Sequence, residues 1–156
     1  MKYERTQIGW YLIVILLLSL IGISLGYIYQ WGDNPLSKNI YQLLFFILIL
    51  ITINFYKLKI RVDESGINIS YGIGLISCNI NPDKIEEIKV IKTPLLAGFG
   101  IRLLPKGTLY NIQGRSAVKV MYSKDNVQKQ VSIGSDNPFE LKAFLEQRFN
   151  VRSHQK

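Results

Sequence analysis

Two continuous apolar runs, Ile8 to Tyr29 and Ile40 to Tyr56, dominate the start of the chain, with the polar segment Gln30 to Asn39 between them. Neither run contains a charged side chain. At 1.5 Å per residue each is about long enough to cross the roughly 30 Å hydrocarbon core of a bilayer. The second run is shorter, but Leu58 extends it and Lys57 and Lys59 can reach back to the headgroups. The pattern predicts a two-helix transmembrane hairpin.

After Tyr56 the period switches from continuous to alternating. Leu58, Ile60 and Val62 share one face and Lys59, Arg61 and Asp63 the other, which predicts a strand beginning at the membrane surface. Glu64 to Gly66 supplies a turn into Ile67, Ile69 and Tyr71. Gly72 to Gly74 then turns the chain into Ile76, Cys78 and Ile80, which Asn81 and Pro82 end. Between Ile85 and Ile91 the acids Glu86 and Glu87 interrupt the alternation, as a bulge at the start of a strand would. Ile101 with Leu103, Leu109 to Ile112, and Val118, Val120 and Tyr122 read as a three-stranded meander, with turns at Pro105 to Gly107 and Gln113 to Arg115. Lys124 to Asn126 turns into a last strand containing Val131 and Ile133.

The ending has a helical period. Asn137 is placed to cap, Pro138 takes the first helical position, and Glu140 stands three residues after the cap. Leu141, Phe144, Leu145 and Phe149 then fall on one face. The expected organisation is a hairpin over residues 1–57, a mainly-β domain of about seven strands closed by a C-terminal amphipathic helix over 58–150, and a tail over 151–156.

The flanks predict the orientation. Lys2 and Arg5 precede the first run and Lys57, Lys59 and Arg61 follow the second, whereas the connecting loop carries Lys38 against Asp33. Both chain ends are therefore expected in the cytoplasm, at the plasma membrane. Trp10, Tyr11 and Tyr56 mark one interface, and Tyr27, Tyr29, Trp31 and Tyr41 the other. A cleavable signal peptide is set aside: the first run is long for one, no small-x-small site follows it, and a second apolar segment comes directly after. Gly22 and Gly26 have the spacing of a close helix contact, either within the hairpin, the preferred reading, or between chains.

About one hundred residues remain outside the hairpin, enough for one small domain. Cys78 is the only cysteine and His154 the only histidine, so one chain can build neither a disulfide nor a structural zinc site. Cys78 alternates with Ile76 and Ile80 and reads as a core residue. The net charge of +8 comes from basic residues scattered along the strands. That distribution suits an anionic membrane surface better than nucleic acid, with Lys57, Lys59 and Arg61 as the surface-facing set. Glu86 and Glu87 are adjacent on a strand and point to opposite faces, so they cannot act as an acid/base pair on one substrate. Leu95 and Leu96, in the loop after Thr93, either cap the domain core, the preferred reading, or dip into the bilayer.

The run GFGIRLLPKGTLYNIQGRSAVKV from Gly98 to Val120, followed by IGSDNPFEL from Ile133 to Leu141, resembles a bacterial family of membrane-anchored pleckstrin-homology (PH)-like proteins. The shared features are a G-x-G-I-R strand, a Y-N-V/I-x-G turn and an I-G-[ST]-D-x-P strand-to-helix junction. They cover roughly the last third of the chain closely. Asp125 to Gln130 departs from the pattern by lacking its glycine turn. The resemblance implies a PH-like barrel or sandwich of consecutive hairpins with a closing helix. Eukaryotic PH domains hold phosphoinositide headgroups in a basic pocket between early strands; Lys59 and Arg61 lie at a comparable place here, but no dense basic cluster completes such a pocket. Within the matched motifs Arg102, Tyr110 and Arg115 are the candidate binding residues.

The expected function is a non-enzymatic binding or scaffold module on the cytoplasmic face, without cofactor or metal, recognising a protein partner, a second copy or anionic lipid. The alternative is a small accessory subunit whose hairpin packs against a larger transporter or channel. An enzyme is disfavoured, because the sequence offers no nucleophile-base pair, ligand cluster or phosphate-cradling loop.

Overall fold

The computed structural model describes residues 2–93, 100–104 and 107–151. Gly98, Leu95 and Leu96, most of the turn expected at Pro105 to Gly107, and the tail with His154 lie outside the described residues.

The two apolar runs form α1 (Trp10–Ile28) and α2 (Lys38–Phe55), both long and apolar enough to cross a membrane. Apart from Leu16 on α1 they bury no residue. A core helix of a soluble protein would bury one whole face. The hydroxyls of Ser19, Ser24 and Thr52 and the amide of Asn54 each donate to the carbonyl four residues earlier, which satisfies them without water. Near the hairpin's tip the rings of Tyr27 and Tyr41 stack with centroids 4.4 Å apart. Gly22 does not make the close contact expected within the hairpin. A methyl group there would meet nothing within 4 Å beyond its own helix, and at Gly26 it would meet Trp31 at 3.9 Å.

Among the described residues there are nine strands, rather than about seven. A first sheet contains β1 (Tyr3–Ile8), β2 (Lys57–Asp63), β3 (Gly66–Tyr71) and β4 (Ile76–Ile80), antiparallel in that order. The second contains β5 (Lys84–Lys92), β6 (Gly100–Leu104), β7 (Gly107–Asn111), β8 (Ser116–Lys124) and β9 (Val127–Gly134), in the order β5-β8-β9-β7-β6. The expected bulge lies between Ile85 and Glu87. The expected meander is not formed. β6 and β7 do make a hairpin, but β8 goes on to lie between β5 and β9, and β7 pairs in parallel with β9. The β8–β9 hairpin needs no glycine, because Asp125 and Asn126 take φ of 54° and 59° in a two-residue turn. Asp and Asn tolerate that left-handed region better than other side chains.

Strand β1 is the element absent from the sequence-based expectation. It pairs with β2 from Tyr3 opposite Val62 to Ile8 opposite Lys57, and the ladder continues with Gly9 N–H donating to the Tyr56 carbonyl at 2.9 Å. The helical hairpin is thus an insertion in the connection between two neighbouring strands. The N-terminal strand and the rest of the domain stand at the same end of it.

Between the sheets lies one main core. Leu58, Ile60 and Val62 of β2, Ile67, Ile69 and Tyr71 of β3, and Val118, Val120 and Ile133 of the second sheet are fully buried. Helix α3 (Pro138–Phe149) closes it with Leu141 and Leu145, also fully buried. Each such side chain contributes about 1.5–3 kcal/mol of transfer free energy. Asn137 caps α3 as expected: its Oδ1 accepts from Glu140 N–H at 3.4 Å and its Nδ2 donates to the Glu140 carboxylate at 2.8 Å. Cys78 packs half-buried against the edge of the core.

Candidate functional site

The three candidate binding residues do not share one surface. Arg102 on β6 stands opposite Leu109 of β7, and Tyr110, one residue further on, faces the other side of the sheet. Arg102 is exposed, while Tyr110 is half-buried against the main core. Burial raises the Tyr110 phenol well above its ordinary pKa, and its hydrogen bond with Cys78 adds to the shift. Such a ring is part of the packing between the sheets. Arg115 sits apart from both, in the turn between β7 and β8.

That turn borders an open cleft of roughly 450 Å³ where the domain meets α1. Trp10 and Tyr11 from the first turn of α1 form one wall. Arg115 and Ser116 form a second, and Ser135 and Asp136, on the way from β9 to α3, a third. Local hydrogen bonding fixes the shape. Buried Asn111 closes its own turn, with Nδ2 donating to the Gly114 carbonyl at 3.1 Å and Oδ1 accepting from Ile112 N–H at 3.0 Å. Gly134 permits this, because a Cβ there would lie 2.0 Å from Asn111 Oδ1. Thr93 N–H and Oγ1 both donate to the Arg115 carbonyl, at 2.7 and 3.2 Å, and Arg115 Nε donates back to the Thr93 carbonyl at 3.4 Å. Ser135 N–H donates to the Ser116 carbonyl at 3.1 Å, joining two walls.

The charges are held in place from β1. Arg5 makes a two-pronged contact with Asp136, Nε to Oδ1 at 3.2 Å and Nη2 to Oδ2 at 3.0 Å. The cleft therefore presents an exposed arginine, a carboxylate already held by another arginine, and two aromatic rings. That set suits a polar or zwitterionic group better than a wholly apolar ligand.

The basic set on β2 is less available than its sequence implies. Lys59 Nζ lies 2.7 Å and Arg61 Nη2 3.0 Å from the carboxylate of Glu4 on β1. The Lys59 hydrogen bond, with that of Arg61, holds the Glu4 carboxyl below the usual carboxylate range. Lys57 stands instead at the exit of α2, with its ammonium 5.1 Å from the Tyr56 ring centroid. Glu4, and a role for Arg5 beyond that of a basic flank, were not legible in the sequence; both lie on a strand whose buried positions include Gln7, hydrogen-bonded to the Gly134 carbonyl at 2.9 Å. No apolar alternation announces such a strand. Glu86 and Glu87 are engaged separately, the first by Gln128 and the second by Lys89. Among the described residues no group of three His, Cys, Asp or Glu side chains could hold a metal ion.

Comparison with protein-family models, curated proteins and solved structures finds no match to this chain.

Proposed function

We propose that this protein is a non-enzymatic, membrane-anchored PH-like binding module. In this reading α1 and α2 cross the plasma membrane with both chain ends cytoplasmic, and the β domain presents the Arg115 cleft at the inner leaflet. One observation carries the proposal: the helical hairpin is inserted between paired strands β1 and β2, so the domain cannot swing away from the helices that anchor it. The two sheets with a closing helix, together with the motifs at Gly98 to Val120 and Ile133 to Leu141, support the PH-like reading. The excess of Lys and Arg at the domain end of the hairpin supports the cytoplasmic placement.

The test is crosslinking in cells of the full chain tagged at its C-terminus, followed by purification in mild detergent, alongside the Arg115→Glu and Arg102→Glu variants. The expected result is a membrane-located partner or lipid that Arg115→Glu loses and Arg102→Glu keeps. Equal recovery with Arg115→Glu would move recognition away from the cleft. A stoichiometric multi-spanning partner crosslinked through α1 or α2 would favour the accessory-subunit alternative, to which the open face at Gly22 is suited. Recovery in the soluble fraction would overturn the anchoring itself.

A further inference from the structure

The turn between β3 and β4 departs from ordinary turn chemistry. Its side chains are Ile73 and Leu75, 62% and 74% exposed, where exposed turns usually carry polar residues. The whole hairpin around it is uncharged: no Asp, Glu, Lys or Arg occurs from Ser65 to Pro82. β4 is also an edge strand of its sheet, and edge strands that face water are commonly protected by charge.

Its position supplies a reason. Gly72 N–H donates to the Lys57 carbonyl at 2.8 Å, and a Cβ on Gly72 would lie 2.2 and 2.5 Å from the carbonyl oxygens of Ile53 and Asn54. The turn's backbone therefore rests on the last turn of α2. Next to it, the Tyr71 ring packs against Phe55 with centroids 5.5 Å apart. Tyr56 and Lys57, an aromatic-basic pair of the kind that sits at a membrane interface, leave α2 at the same level.

We propose that the β3–β4 turn inserts Ile73 and Leu75 into the boundary between headgroups and acyl chains of the leaflet from which α2 emerges. The occupant of this apolar surface is lipid, because the surface continues directly from a helix that is itself uncovered and apolar. The contact is a third attachment beside the two helices, and it sets the tilt of the domain on the membrane. Insertion places the uncharged hairpin where a charge would be costly to desolvate. The inference rests on α1 and α2 crossing the bilayer.

The variants Ile47→Cys, Leu75→Cys and Val127→Cys, each in a Cys78→Ser background, separate the two questions. Ile47 lies within α2, and Val127 is exposed beside the β8–β9 turn at the opposite end of the domain. The full chain, labelled with an environment-sensitive fluorophore, is reconstituted into vesicles of equimolar phosphatidylcholine and phosphatidylglycerol carrying acyl-chain spin labels. The expected result is blue-shifted emission and quenching at Ile47 and Leu75, several-fold stronger than at Val127. A Leu75 probe that behaves like Val127 while Ile47 is quenched overturns insertion and leaves the helices in the bilayer. If Ile47 is not quenched either, the crossing itself fails and insertion falls with it.

Discussion

Gly72→Ala tests the attachment of the domain to the hairpin directly. Gly72 has φ of 51°, and a Cβ added there would meet the Ile53 and Asn54 carbonyl oxygens at 2.2 and 2.5 Å. The left-handed backbone costs a non-glycine residue about 1–2 kcal/mol, and forcing a methyl against immovable backbone adds roughly 1–3 kcal/mol. The total, about 2–5 kcal/mol, is a large part of a typical domain stability of about 5–15 kcal/mol. Gly74→Ala is the matched control. Its φ of 97° is also unfavourable to a side chain, but a Cβ there meets nothing within 4 Å. The difference between the two variants isolates the contact with α2. For a domain of about one hundred residues, 1 kcal/mol moves Tm by roughly 4–8 °C, so Gly72→Ala should melt at least ~4 °C below Gly74→Ala. Thermal melts in detergent, followed by the β signal in circular dichroism, make the measurement. Equal melting temperatures would refute the packing of this turn against the helix end, and with it the support for the position of Ile73 and Leu75.

Tyr71→Phe removes a hydroxyl that donates to the carbonyls of Gly100 and Asn111, both at 3.2 Å, from a ring that is fully buried; loss of about 1–2 kcal/mol is expected in denaturant titrations. An unchanged midpoint would show that this bridge between the sheets carries no net stability. Glu4→Gln should lower Tm at neutral pH and make no difference in acid. The Glu4 carboxyl is held below its ordinary range by Lys59 and Arg61, so its contribution is present above the unfolded-state pKa and disappears as pH falls through the lowered folded-state value. A constant offset between the two melting curves down to the lowest pH would refute that linkage.

Local periodicity determined much of this protein. Two charge-free apolar runs become α1 and α2, each long and apolar enough to cross a membrane. The alternation of Leu58, Ile60 and Val62 against Lys59, Arg61 and Asp63 sets which face of β2 is buried, and Asn137, Pro138 and Glu140 start α3 through contacts within four residues. Arg115 was a candidate through the resemblance of the stretch around it to a family motif, and its turn is closed locally, by Asn111 on the Gly114 carbonyl. Which strands become neighbours was decided only by the tertiary structure. The parallel pairing of β7 with β9 and the place of β8 beside β5 depend on packing between segments far apart in the chain. So does β1, whose polar Gln7 is buried because the Gly134 carbonyl lies opposite it, 127 residues away. With β1 come Glu4, which takes up Lys59 and Arg61, and Arg5, which holds Asp136 at the cleft. A side chain's period along the chain shows which way it faces; the partner it meets there is supplied by another segment, and short-range pattern carries no information about that segment.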